Sequence, residues 1–294
     1  MTDRRLDSQA SLTAQINAAQ RAAESMQPAR RRLVTDPFAR HFVSHPLLRL
    51  LLSHRLLARA GLHALDHLYG GLHAHIALRF RYTADAYQNA SADGMDQVVL
   101  LGAGFDSTGL RNAPSMTTYE VDAPATQLVK RAVVDRHFAS SSSQIRWIAC
   151  DFERNSLHTS LTEAGFDPAR RSLIIWLGVS FYLTRDAIEL TLTNLAALCA
   201  PGSKLVLDYG EPGIVDGTSR WRGSRRGTRL VARFGEPYRT GFTRTQLNEL
   251  LRAKGFLVRD HVGLTELVER YAPSPWCSTD NWPGIATAER VCAR

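Results

Sequence analysis

The chain has 294 residues, 44% hydrophobic and 22% charged, the make-up of a globular chain that buries a full core in one large domain or two small ones. No apolar run approaches the ~20 residues needed to cross a bilayer, and Met1-Thr2-Asp3-Arg4-Arg5 leads into a polar helix instead of a secretory apolar stretch, so a cytoplasmic chain with no membrane partner is expected. Lysine and arginine outnumber aspartate and glutamate 36 to 28, and the arginine clusters Arg30-Arg31-Arg32 and Arg220, Arg222, Arg225, Arg226, Arg229 read as solvated surface or contacts to an acidic small molecule, with no nucleic-acid partner.

Residues 11–27 are alanine-rich, carry a helical apolar stripe and stop before Pro28, which predicts a leading helix. From Asp36 to about Gln88 the spacing stays helical, with Leu47, Leu48, Leu51, Leu52, Leu56 and Leu57 in register and a break at Tyr69-Gly70-Gly71. His63 and His67 share a helix face with His73 and His75 close behind. The glutamate of an H-E-x-x-H site is missing, however, and no third ligand follows, so no metal is expected. Cys150, Cys199, Cys277 and Cys292 are far apart in sequence and read as reduced structural thiols.

From Asp96 onward strands and helices alternate. Strands are predicted at 97–101, 117–121, 145–149, 172–177, 203–208, 256–262 and 286–293. Pro124 suits the first turn of a helix over 124–137, Asp186 with Glu189 reads as a capping box for a helix over 186–199, and Pro201-Gly202 ends that helix. Thr245–Lys254 reads as a helix closed by Gly255. Residues 210–241, with seven glycines and no clean periodicity, read as a long insertion near the carboxyl ends of the strands. The alternation implies an α/β fold with a doubly wound, mainly parallel sheet. Its organisation would be a helical lid over 1–90 and a sheet domain over 91–294, forming a single structural unit.

The most telling segment is Val98-Val99-Leu100-Leu101-Gly102-Ala103-Gly104. A buried parallel strand here runs into a Gly-x-Gly turn, and Asp122 follows Gly102 by 20 positions, the spacing of an acid that holds ribose hydroxyls. Ser107 stands where the third glycine of a dinucleotide fingerprint would be, which favours a nucleoside without phosphates, S-adenosylmethionine being the commonest. A tight strand-to-helix turn needs the same glycines, and the spacing alone does not separate the two readings.

Beyond this turn, the segments Arg79-Phe80-Arg81-Tyr82, Leu101-Gly102-Ala103-Gly104-Phe105-Asp106-Ser107, Tyr119-Glu120-Val121-Asp122-Ala123-Pro124, Asp151-Phe152, Ala164-Gly165-Phe166-Asp167-Pro168 and Gly178-Val179-Ser180-Phe181-Tyr182-Leu183 form an ordered series. With Ala22-Ala23-Glu24-Ser25 and Thr35-Asp36-Pro37-Phe38-Ala39, it resembles the leucine carboxyl methyltransferase family from about residue 12 to 270, above all the bacterial branch that includes polyketide carboxyl O-methyltransferases.

The resemblance implies a class I S-adenosylmethionine-dependent methyltransferase: a Rossmann-like seven-stranded sheet with its last strand antiparallel, and a helical lid. It implies that Arg79 meets the methionine carboxylate, that Gly102 and Gly104 admit the cofactor, that Asp122 holds the ribose, and that Asp151 and Phe152 flank the adenine, with Asp106 also on the cofactor side. Leu177 stands where the family has a glutamate near the reacting end. The expected reaction is O-methylation in secondary metabolism, the esterification of a small-molecule carboxylate. Such an acceptor, with a pKa of ~4, is ionised at neutral pH and needs no general base. Tyr182, Tyr209 and Arg222 are the candidates to position an anionic acceptor. A phenol or hydroxyl acceptor is the alternative chemistry, and Leu177 raises that of a protein that binds S-adenosylmethionine without transferring methyl groups.

Overall fold

A computed structural model describes residues 10–111, 116–152, 155–272 and 280–292; Cys277 lies outside them. Helix α1 (Leu12–Ser25) starts where the Ser11 hydroxyl accepts the Ala14 N–H at 3.1 Å, and it buries Ala18, Ala19, Ala22 and Ala23. Helices α2 (Pro46–Leu51), α3 (Arg55–Tyr69) and α4 (Leu72–Ala92) follow. The predicted break between α3 and α4 falls at Gly70 and Gly71, whose φ angles of +61° and +85° belong to the left-handed region.

The alternating part contains β1 (Gln97–Leu101), α5 (Thr108–Arg111), β2 (Thr117–Asp122), α6 (Pro124–His137), β3 (Ile145–Ala149), α7 (Leu157–Glu163), β4 (Ser172–Trp176), α8 (Arg185–Leu198) and β5 (Lys204–Gly210). It ends with α9 (Gly213–Asp216), α10 (Arg222–Arg233), α11 (Arg244–Ala253), β6 (Phe256–Gly263), α12 (Leu264–Tyr271) and β7 (Pro283–Arg290). The seven strands form one sheet in the order β3-β2-β1-β4-β5-β7-β6, and β7 alone runs antiparallel, paired on both sides. This is the expected α/β sheet with its last strand reversed. Every residue of β1 and β4 is buried, which is why they read as unbroken apolar runs.

Helices cover both faces. Ala74, Ala77 and Leu78 of α4 pack with Val98, Leu100, Leu173, Ile175 and Val206, while Ile188, Leu192 and Leu195 of α8 and Leu247 and Leu251 of α11 pack with Val99, Leu101 and Ile174. Helix α4, inside the region read as a lid, is therefore a layer of the core; it is buried around most of its circumference.

Two sequence-based expectations are corrected. Helix α8 is capped by Thr184, whose hydroxyl accepts the Ala187 N–H at 3.3 Å, and Asp186 lies inside its first turn. The region 210–241 is not irregular throughout, because it contains α10. Arginine is a good helix former, and a Cβ at Gly223 would collide with the backbone of Tyr69 and Gly70, so that glycine permits close packing instead of breaking the helix.

The chain goes from β1 to β2 and β3 on one side, then returns to β4 on the other side of β1. Strand order reverses between β1 and β4, and the crevice at the carboxyl ends of those strands is where such sheets bind ligands.

Candidate functional site

A cavity of about 940 Å³ occupies that crevice, walled by the ends of β1, β2 and β4, by α1 and by Gly235, Glu236, Pro237 and Arg239. It is large enough for a nucleoside-sized ligand and more. Arg79, Gly102, Gly104, Asp106, Asp122, Asp151, Phe152, Leu177 and Tyr182 all line it.

The turn after β1 is built from two constraints. Gly102 and Gly104 have φ of +65° and +48°, and a Cβ at Gly102 would strike the Val179 side chain, so the β1 and β4 loops interlock through the missing side chain. The Gly102 and Ala103 N–H groups donate to the Val121 carbonyl at 2.8 and 3.1 Å. The glycines thus make the tight turn and present bare backbone to the cavity. Asp122, at the end of β2, accepts the Gly104 N–H and, at 2.6 Å, the Ala123 N–H. Burial pushes its carboxyl above the usual range, opposed by those two N–H groups. Asp106 accepts the Thr108 N–H at 2.6 Å; burial raises its carboxyl, but Arg21 and Arg111 outweigh that and hold it low.

Ser107, the departure from the three-glycine pattern, donates its hydroxyl to Asp36 at 2.7 Å, and Arg21 of α1 donates to the same carboxylate at 2.9 Å and to the Phe105 carbonyl at 2.5 Å. The first helix is thereby tied to the β1 turn through a buried ion pair.

Arg79 reaches the cavity from α4 and donates to Asp208 at 2.5 Å. Asp208 is fully buried on β5 and also accepts the Gly178 N–H at 2.7 Å. Burial raises its carboxyl, with Arg79 opposing. Since Trp176 pairs with Leu207 across β4 and β5, Asp208 lies beside Leu177 on the adjacent strand. A buried carboxylate is therefore present on the strand next to Leu177. Asp208, Arg21 and Glu236 did not emerge as site residues from the sequence; a lone aspartate within Leu205-Val206-Leu207-Asp208-Tyr209 was the available signal.

Tyr182, in the 3-10 turn Ser180–Tyr182, also lines the cavity, with Glu236 and Arg239 on the same wall. Burial pushes the Tyr182 phenol well above 10, with Tyr238 and Glu236 adding to the shift, and burial holds Tyr238 at about 12. Both stay protonated at neutral pH.

Tyr209 and Arg222 do not line the cavity. Neighbouring strand residues point to opposite faces, so Tyr209 turns away from the side of Asp208, and its hydroxyl meets His261 Nε2 at 2.6 Å. Arg222 is exposed at the start of α10. His73 pairs with Glu24 at 3.1 Å, and no metal-holding group of histidine, cysteine and acid occurs among the described residues.

The Tyr209–His261 contact has a pH signature. Burial, with Arg244 adding, depresses the His261 imidazole to about 4. The unfolded ring titrates near 6.5, so the unfolded state takes the proton first. The stability contributed by the neutral ring is complete above 6.5 and is lost as pH falls towards 4. Urea unfolding should show about 1 kcal/mol less stability near pH 5 than near pH 7 from this half-buried site, and His261→Gln should remove that increment. An identical pH dependence in the variant would contradict this account.

Residues 14–196, more than half the chain, match the family model described as Leucine carboxyl methyltransferase. YktD of Bacillus subtilis, provisionally named an S-adenosyl-L-methionine-dependent methyltransferase, is 28% identical over 187 residues, covering 63% of this chain and 61% of that protein. A Streptomyces avermitilis protein with the same provisional activity is 36% identical over 143 residues, covering 48% and 50%. The chain thus spans between half and three-fifths of these curated relatives. Among solved structures, a DUF574 family protein from Streptomyces avermitilis has a TM-score of 0.60 at 14% identity, covering 97% of this chain and 100% of that one. A provisionally named methyltransferase from Thermobifida fusca has a TM-score of 0.57 at 15% identity, covering 80% and 89%. At these identities the likeness to solved structures is one of fold.

Proposed function

Because the chain belongs to the leucine carboxyl methyltransferase family, we propose that it transfers a methyl group from S-adenosyl-L-methionine to the carboxylate of a small molecule. The observation that carries this reading is one cavity whose wall brings together the bare glycine backbone, Asp122 and the protonated Tyr182. When bound, S-adenosyl-L-methionine supplies an electrophilic methyl on a sulfonium. The lining suits that cofactor. Asp122 would accept the ribose hydroxyls, Gly102 and Gly104 would let the ligand lie against backbone, and Asp151 and Phe152 would flank the adenine. Asp106 and Leu177 complete the cofactor wall. Arg79, steadied by Asp208, would direct its remaining guanidinium N–H groups at the methionine carboxylate, a planar fork suited to that anion.

Alignment and exclusion of water are then the main tasks of the protein. A carboxylate acceptor is already ionised at neutral pH, so no base has to remove a proton. The Tyr182 hydroxyl would donate to the acceptor oxygen that does not attack, and Arg239 would offset the acceptor's charge. A hydroxyl acceptor is the second reading, favoured by Glu236, a buried carboxylate on the same wall that accepts the Ser11 hydroxyl at 3.2 Å and could take a proton.

The two readings separate by product chemistry. Incubation with methyl-labelled S-adenosyl-L-methionine and a metabolite extract of the host should yield a labelled small molecule that mild alkali cleaves, releasing labelled methanol. A label that survives alkali would exclude the ester and support the hydroxyl acceptor. Cofactor binding without any S-adenosylhomocysteine formation across acids and phenols would instead identify a binding protein.

A further inference from the structure

Six of the eleven large apolar side chains exposed among the described residues fall within one short stretch: Leu47, Leu50, Leu51, Leu56, Leu57 and Leu68, each 40–66% exposed. Helix α3 turns Ala58, Leu62 and Asp66 inward, so Leu56, Leu57 and Leu68 share its outer side with Ala60 and Ala64. Helix α2 packs on α3 where a Cβ at Gly61 would lie 3.6 Å from Leu51, which joins the leucines of both helices into one surface.

Helix α10 borders this surface. Its Gly223 meets the backbone of Tyr69 and Gly70, and Arg226 donates to the Leu68 carbonyl at 3.0 Å. A groove of about 340 Å³ separates the two helices, lined by Leu68 and Tyr69 on one side and Arg226, Arg229, Leu230 and Arg233 on the other. Segments 46–69 and 222–233 together carry eight arginines and a single acid, Asp66. That acid is buried and accepts the Ala74 N–H at 3.0 Å.

We infer that this face docks on the surface of an anionic lipid bilayer, with the leucines entering the interface and the surrounding arginines meeting lipid phosphates. Apolar side chains fringed by basic ones are what an interfacial helix needs, since hydrophobic burial and attraction to anionic headgroups act together. A second copy of the chain fits poorly, because self-pairing of this face sets arginines against arginines. A nucleic acid would satisfy the arginines but leave the leucines in water. No helix among the described residues is long and apolar enough to cross a membrane, so the contact is peripheral, and it departs from the expectation of no membrane partner. Helix α10 leads directly into Gly235, Glu236 and Pro237 on the cavity wall, so docking brings the cavity close to the lipid. The inference stands independently of the methyl-transfer reading.

The test is co-sedimentation of the full chain with phosphatidylcholine vesicles prepared with and without phosphatidylglycerol. Binding should be at least ~10-fold stronger to the anionic vesicles. The triple variant Leu50→Gln/Leu56→Gln/Leu57→Gln should lose ~10-fold or more of it while keeping the wild-type melting temperature. Arg59→Gln/Arg233→Gln should lower the preference for phosphatidylglycerol several-fold. Failure to bind anionic vesicles overturns the proposal. So does unchanged binding by the leucine variant, which would reduce the effect to charge adsorption. A dimer in sedimentation velocity that the leucine substitutions dissolve, without vesicle binding, would assign the face to a second copy instead.

Discussion

Asp122→Ala is expected to weaken binding of S-adenosyl-L-methionine by at least ~100-fold, the loss of two charge-assisted hydrogen bonds of roughly 1.5–3 kcal/mol each. Titration calorimetry with S-adenosylhomocysteine measures it directly. The same carboxylate also accepts the Gly104 and Ala123 N–H groups, so alanine strands two donors and should lower the stability of the unliganded protein by about 1–3 kcal/mol. Asp122→Asn separates the two effects. It keeps one acceptor oxygen but sets an amide NH2 against the other backbone N–H, so its stability should fall by less than that of the alanine variant while affinity drops by roughly tenfold. Unchanged affinity in both variants would remove Asp122 from the ribose end of the site.

The second large effect belongs to the ion pair behind the cavity. Asp208 is fully buried and holds both the Arg79 guanidinium and the Gly178 N–H. Asp208→Ala leaves a guanidinium that is only 11% exposed uncompensated, for which about 3–5 kcal/mol of lost stability is expected, a large share of the ~5–15 kcal/mol that holds a domain together. The double variant Arg79→Leu/Asp208→Leu should regain most of that stability, because a buried pair replaced by apolar groups is often neutral. It should nevertheless bind the cofactor poorly, since the guanidinium is gone. Urea unfolding and calorimetry on the same samples read both quantities. A loss below about 1 kcal/mol in Asp208→Ala would show that water reaches the pair and screens it.

The parts of this fold that could be read from sequence are those with local causes. Strand β1 is buried along its whole length and so appears as an apolar run; α6 starts on Pro124; and the Gly102–Gly104 turn announces itself through residues that only glycine satisfies. The unreadable parts depend on partners distant in the chain. Asp208 acquires its meaning from Arg79, 129 positions earlier, and Ser107 from Asp36, 71 positions earlier. Helix α10 was hidden because Gly223, which would weaken an isolated helix, answers a steric demand made by Tyr69 and Gly70. Tyr209 lies off the cavity for a simpler reason. A tyrosine next to a site aspartate in a strand faces the opposite side of the sheet.

The position of β7 has a consequence for the protein as it is being made. Strand β6 pairs in the sheet with β7 alone, and β7 is also the neighbour that covers the free edge of β5, the strand carrying Asp208. A ribosome delivers residues 256–263 before residues 283–290, so β6 emerges with no strand to join and β5 emerges with one edge open. For that interval the nascent chain presents an unpaired strand and an open strand edge, the kind of surface that recruits chaperones or mispairs with a neighbouring chain. The backbone behind the Arg79–Asp208 pair closes only when the last strand slides between them.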